Sequence, residues 1–348
     1  MPVSIVVGGQ FGSEGKGKVS LELVRMATER RIAVVRVGGP NSGHTAYNRA
    51  GQKFALRQLP AGAVDRNVDV VFPAGSFIDV DVLQSEIELL NYPRDRIFIS
   101  PYANVITPEQ KAWEREAGLV SGIGSTGSGV GAAVMATVAR EASNFPLHRH
   151  DAAHCEPLER YMCDTTLLMR QWLGADARIV IEGTQGFGLS LYDGGFWPKA
   201  TSRATTAAAA LAETGLSPVD VDKIVLVVRS YPIRVAGNSG PLPGETTWDA
   251  ISESIETGAD LREFTTVTNK LRRVGSFDSS LVKAAIACNN PTEIVLNHLD
   301  YVGSLGAGSV KSMIVQKFVK GIEESIGRQI EYLGFSPMTI DPRVSLVG

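Results

Sequence analysis

Short runs rich in β-branched residues recur along the chain, at Ser4–Val7, Ile32–Val37, Val68–Phe72, Ile97–Ile99, Arg178–Ile181, Ile224–Val228 and Ile294–Leu296. They are too short and too continuously apolar for surface helices and predict buried strands. Between them, Val19–Arg30, Val80–Leu90, Pro108–Ala117, Pro157–Leu173, Thr205–Thr214, Trp248–Leu261 and Asp278–Ala287 carry apolar residues at helical spacing. The alternation predicts an α/β fold, a mostly parallel central sheet with helices on both faces. Several glycines follow a strand directly, as Gly8-Gly9, Gly38-Gly39, Gly75 and Gly183 do. That is the carboxyl edge, where open α/β sheets bind ligands. Neither an internal repeat nor a low-complexity linker interrupts the pattern, so one elaborated α/β domain over residues 1–348 is expected.

Composition narrows the function. The 348 residues are 44% hydrophobic and 20% charged, enough apolar surface for a large core and too much for a disordered chain. The 34 Lys and Arg against 37 Asp and Glu leave a net charge of −3, which argues against direct DNA binding. Cys155, Cys163 and Cys288 form no CxxC pair, so neither a zinc site nor a disulfide framework is indicated and a reducing cytoplasm is expected. No apolar run approaches the roughly 18 residues of a membrane helix, and Val3–Val7 is too short for a signal peptide.

The first strand leads into Gly8-Gly9-Gln10-Phe11-Gly12-Ser13-Glu14-Gly15-Lys16-Gly17-Lys18. A glycine loop opening a helix turns backbone N–H groups inward, and Lys16 and Lys18 add positive charge, so the segment suits a polyphosphate. It departs from the usual phosphate-loop pattern, because Gln10 stands where the first glycine belongs and Gly17 replaces the magnesium-binding hydroxyl. The plainer reading is a glycine turn with solvated lysines. After the second strand, Gly38-Gly39-Pro40-Asn41-Ser42-Gly43-His44-Thr45 repeats the design, and both loops should meet at one edge. Of five histidines, His44 alone lies in such a loop, where an imidazole can donate to an oxygen gaining charge.

Gly12-x-Glu14-Gly15-Lys16-Gly17-Lys18, Asn41-x-Gly43-His44-Thr45, Gly124-x-Thr126-Gly127, Glu182-Gly183-x-Gln185-Gly186, Thr201-Ser202 and Arg272-Arg273 occur in the order found in adenylosuccinate synthetases. Over nearly its whole length the chain resembles that family, ligases that use GTP and magnesium to join inosinate (IMP) to L-aspartate through a 6-phosphoryl intermediate. The resemblance implies that Gly12–Lys18, with Gly15 and Gly17, wrap the triphosphate together with Thr45 and Arg272. It implies that Ser13, Lys16, His44 and Gln185 form the catalytic set, and that the Gly43 carbonyl and Ser13 hold Mg2+. Asn41, Ser42, Ser125, Thr126, Gln185, Leu189, Thr201, Val235 and Lys270 match the contacts to the purine monophosphate. Arg140 matches an arginine that reaches the partner's site across a homodimer, and Thr266, Val267, Thr268, Lys270 and Arg272 match the aspartate loop.

Three departures redirect the expectation. Ser13 stands where the family has an aspartate that removes the purine N1 proton; a hydroxyl is a poor base but leaves room for a C2 amino group. Lys270 replaces an arginine that touches the ribose 2′-hydroxyl, and a point charge cannot reproduce a planar fork. Asn297-His298-Leu299-Asp300 stands where the family has the tetrad that reads guanine of GTP; Asp300 remains, but His298 replaces its lysine, and Ser336 before Pro337 replaces a glycine near the same ring. The departures resemble the phage branch of the family, the 2-aminoadenylosuccinate synthetases, which act on dGMP and accept ATP. The expected reaction therefore takes dGMP, aspartate and ATP to N6-succino-2-amino-2′-deoxyadenylate, in host cytoplasm if the gene is viral. The ordinary IMP and GTP reaction, and a catalytically inactive nucleotide-binding protein, are the alternatives. A regulatory GTPase is not favoured, because the one Asp-x-x-Gly, Asp300–Gly303, overlaps the tetrad.

Overall fold

The computed structural model describes residues 2–65, 67–254, 260–265, 270–302 and 313–343. Nine strands form the main sheet: β1 (Val3–Gly8), β2 (Arg31–Arg36), β3 (Asp69–Phe72), β4 (Ile97–Ile99), β5 (Ala177–Glu182), β6 (Val221–Arg229), β7 (Glu293–Asn297), β8 (Tyr332–Leu333) and β9 (Asp341–Pro342). Their spatial order is β9-β8-β7-β6-β1-β5-β2-β3-β4. All neighbours are parallel except the edge pair β8 and β9. Every residue of β1 is buried, as a central strand covered on both faces requires. One face packs Ile5, Val35, Ile181 and Leu226 against helices that bring Met169, Leu211 and Val282. On the other, Val6, Val34 and Val180 meet Val19, Leu23 and Val24. No helix among the described residues is long and apolar enough to cross a membrane.

The structure bears out the seven predicted strands and corrects several helix bounds. Helix α1 (Lys16–Met26) starts at Lys16, not Val19, because Gly15 turns the chain at φ 94° and the first-turn lysines are themselves buried. It stops at Met26, since β2 begins at Arg31 and the chain must reverse between them. The expected helix Pro157–Leu173 is broken. Glu156–Tyr161 is a 3-10 turn, the Cys163 N–H donates to the Ile99 carbonyl, and Asp164 caps a separate helix, Thr165–Gly174, from its side chain. The helix expected over Trp248–Leu261 runs Trp248–Ser254; residues 255–259 lie outside the described residues, and Leu261 is not helical. A hairpin of His44–Tyr47 with Lys53–Leu56 and the helix Met313–Ile326 were not foreseen.

Candidate functional site

The first loop closes on its own acidic residue. Glu14 is wholly buried; its carboxylate accepts from the N–H groups of Gln10 at 3.1 Å and Gly12 at 2.8 Å, and it pairs with Lys16 Nζ at 2.8 Å. That geometry needs positive φ at Gly12 and Gly15, 95° and 94°. At Gly15 a Cβ would also lie 2.6 Å from the Asn297 Nδ2, which donates to the Glu14 carbonyl at 2.8 Å. Lys16 further donates to the Gln185 carbonyl, so the loop is tied to the turn after β5. Lys18 donates to the Ser336 carbonyl at 2.8 Å. Burial brings Lys18 down to about 8, against the attraction of Asp300, Glu22 and Asp341.

Beside this loop lies the second, as the sequence leads one to expect: a Cβ on Gly17 would sit 3.0 Å from that of His44. The His44 ring is buried, with Nδ1 2.5 Å from the Glu182 carboxylate and 2.9 Å from the Arg36 guanidinium, which itself pairs with Glu182 at 3.2 Å. Burial and then Arg36 lower the imidazole to about 4, against Glu182. For Glu182, burial works upward but His44 and Arg36 outweigh it and bring the group below the usual carboxylate range. Glu182 is therefore ionised, the ring neutral and Nδ1–H directed at the carboxylate.

Ser13, at φ 56°, is gripped from two sides. Arg272 Nη1 donates to its hydroxyl at 2.7 Å and Arg229 Nη1 to its carbonyl at 3.0 Å. The Glu263 carboxylate pairs with Arg229; burial pushes it up, but Arg229, His298 and Arg272 prevail and hold it at about 2. His298, in the left-handed region at φ 61°, is lowered to about 3 by burial and Arg229.

The other expected site residues are dispersed. The Ser42 hydroxyl accepts from the Gln185 N–H at 3.4 Å, and the Leu189 carbonyl from the Thr201 N–H at 2.8 Å, around one edge. Gly43 and Thr45 are exposed beside His44. Ser125 and Thr126 sit in a polar turn, bonded to Glu114 and Ser128, while Val235 lies partly exposed on a separate loop. Arg140 is exposed at the end of the helix Val130–Ala139, roughly 15 Å along the axis from Val130, whose side chain packs by Gly39. Asp300 lies near Lys18, and Lys270 is exposed. Thr266, Val267 and Thr268 lie outside the described residues, as does Asn269.

Sequence reasoning assigned no role to Glu182, Arg36, Arg229, Glu263 or Arg203. Glu182, Arg36 and Arg229 each end an apolar strand with a charge, a pattern that marks the carboxyl edge as surely as the glycines do. The buried Asn41 Oδ1, Ser202 Oγ and Arg203 Nε have no hydrogen-bond partner.

Below about pH 6.5 the unfolded chain protonates both rings while the fold keeps His44 neutral to about 4 and His298 to about 3. The folded state then binds fewer protons, so stability is full above 6.5 and falls as pH drops, by up to about 1.4 kcal/mol per unit per ring. Urea midpoints should decline between pH 6.5 and 5; a flat profile would mean that the rings titrate normally.

The profile of the family described as adenylosuccinate synthetase matches residues 5–149 and 147–311. An adenylosuccinate synthetase of Pyrococcus sp. (strain ST700) is 34% identical, covering 97% of this chain and 96% of its own. That of Methanococcus aeolicus is 35% identical, covering 99% and 100%. Among solved structures, the succinoaminodeoxyadenylate synthetase of cyanophage S-2L, bound to dGMP and to dATP as an energy donor, superimposes with a TM-score of 0.80 at 27% identity, over 98% of this chain and 95% of that one. The fully ligated adenylosuccinate synthetase of Plasmodium falciparum gives 0.83 at 21% identity, over 98% and 99%, a likeness of fold.

Proposed function

The chain belongs to the adenylosuccinate synthetase family of C–N ligases, and on that premise we propose that it joins L-aspartate to the 6-position of dGMP with ATP as phosphoryl donor. The purine O6 attacks the γ-phosphorus as N1 gives up its proton to solvent and ADP leaves; the aspartate amine, losing a proton, then displaces phosphate from C6. The products are N6-succino-2-amino-2′-deoxyadenylate, ADP and phosphate.

The observation that carries this reading is Ser13. It puts a small neutral group where the ordinary enzymes have an acid, and the neighbouring Glu14 is turned into the loop and spent on Gln10, Gly12 and Lys16. A purine with a C2 amino group then meets no displaced carboxylate. Arg272 donates to the Ser13 oxygen, which weakens it as a base and leaves its O–H to bond the purine edge. The cyanophage S-2L enzyme, bound to dGMP and dATP, supports the choice. For the donor base, Asn297 gives its Nδ2 to the Glu14 carbonyl and keeps an unpartnered Oδ1, and with His298, Asp300, Ser336 and Pro337 it takes the place of the guanine-reading set; this suits ATP.

In this reading Gly12–Lys18 hold the triphosphate, and His44 serves the transferring phosphoryl group. An oxyanion brought to the ring raises its pKa; protonated on both nitrogens, it donates from Nε2 while Glu182 holds Nδ1. Asn41, Ser202 and Arg203 offer buried polar atoms to the monophosphate, with Gln185 and Thr201. The exposed Gly43 carbonyl suits magnesium, a hard cation that takes oxygen ligands; Ser13, bound by a guanidinium, would add only a neutral oxygen, and the phosphates would supply the rest. When bound, magnesium offsets charge on the phosphate oxygens. Aspartate would meet Lys270, Arg272 and the 266–268 segment, and Arg140 would serve the partner of a homodimer.

The many ordinary synthetases among the relatives favour one other reading, IMP with GTP. Mass spectrometry of products from dGMP, GMP and IMP offered together, with ATP and GTP in separate reactions, decides between them. The dGMP adduct should dominate with ATP, and a dominant IMP adduct would establish the ordinary reaction. Ser13→Asp should move the dGMP-to-IMP ratio of kcat/KM toward IMP by about tenfold or more, a difference of roughly 1.4 kcal/mol. An unchanged ratio would remove Ser13 from the specificity argument.

A further inference from the structure

Arg229 ends β6 with its side chain wholly buried. Its main chain is fixed by Gln10, whose Oε1 accepts the Arg229 N–H at 2.9 Å and whose Nε2 donates to the Arg229 carbonyl at 3.1 Å. Its guanidinium bridges the Ser13 carbonyl and the Glu263 carboxylate. Glu263 in turn accepts from the Tyr301 hydroxyl at 3.1 Å, and its carbonyl accepts the Arg272 N–H at 2.8 Å. Phe264 pairs antiparallel with Leu271, and the Thr265 N–H donates to the Lys270 carbonyl at 2.9 Å. Residues 263–265 and 270–272 are thus the two legs of one hairpin. Both legs are fastened to Ser13, one through Glu263 and Arg229 to the carbonyl, the other through Arg272 to the hydroxyl.

We propose that Arg229 and Glu263 are positioning residues that couple the hairpin to the first loop, so that seating aspartate on one tightens nucleotide on the other. This rests on the reading of the hairpin as the aspartate site. The Arg229 guanidinium meets Ser13 and Glu263, and the Glu263 carboxylate meets Arg229 and Tyr301. Each fixes a partner that faces a different substrate, and a joint with two discrete fastenings transmits occupancy in both directions with equal strength. A lysine at 229 carries the charge but lacks the fork, so it can hold one fastening and not both.

The test is the dissociation constant of β,γ-imido-ATP, a non-hydrolysable stand-in for ATP that keeps the three substrates from reacting, by calorimetry with dGMP present, with and without saturating aspartate. The native chain should bind the analogue about five- to tenfold more tightly with aspartate, a typical coupling. In Arg229→Lys and Glu263→Gln, the second of which keeps the side chain's shape without its charge, that ratio should fall toward one. The aspartate KM should rise about tenfold in Arg229→Lys, with the analogue's constant measured without aspartate little changed. A native-like ratio in both variants, with native-like melting, would overturn the proposal. If the native chain consumes no aspartate with any purine monophosphate, the reading of the hairpin fails first, and the coupling with it.

Discussion

Replacing His44 with alanine should lower kcat by about 10²- to 10³-fold while the KM values for both nucleotides stay within a few-fold of native. The asymmetry follows from where the ring sits. It is held by Glu182 and is neutral in the free protein, so it contributes little to ground-state binding. Its contribution grows with charge on the transferring phosphoryl group, which is the condition for raising kcat without tightening the ground state. Folding should survive, because Glu182 keeps Arg36 and the Ala61 N–H at 3.0 Å. Steady-state kinetics with a thermal melt separates the outcomes. A variant with native turnover would end the role given to His44.

The second large effect is expected at Lys16. Its ammonium is 2.8 Å from Glu14, and both side chains are almost fully buried. Lys16→Met leaves that carboxylate without its cation, and breaking a buried pair from one side costs roughly 3–5 kcal/mol. The loop also loses its tie to the Gln185 carbonyl and, in the role proposed for it, a positive charge that offsets phosphate. Activity should be undetectable and the urea midpoint sharply reduced. Lys16→Met combined with Glu14→Gln should recover much of the stability but none of the activity. If the double variant were no more stable than the single one, the buried pair would not be what holds the loop.

The strands and the two glycine loops were legible because a buried parallel strand is a continuous apolar run, and a loop at its carboxyl end must be small and polar. Helix bounds were less so. Lys16, Gly17 and Lys18 form a buried first turn from residues that periodicity scores as polar, and the break before Asp164 depends on Cys163 bonding to Ile99 across the fold. Within the site, sequence spacing pointed to His44 and Lys16, but it could not reveal that Glu182 and Arg36 surround the first. The network from Ser13 to Glu263 joins residues 250 positions apart in the chain. Only tertiary contact makes it visible. Asn297 adds a contact that its place in the chain did not suggest: its Nδ2 donates to the Glu14 carbonyl of the first loop, while its Oδ1 has no partner.

β1 lies between β5 and β6, and those neighbours end in Glu182 and Arg229. One holds the His44 ring, the other the Ser13 carbonyl. The separation of these two anchor points is consequently a dimension of the sheet, set by strands about 4.8 Å apart. Loop residues can be exchanged to admit a different purine or donor without changing that ruler. A ligase built this way can alter what it recognises while keeping its reacting groups in register.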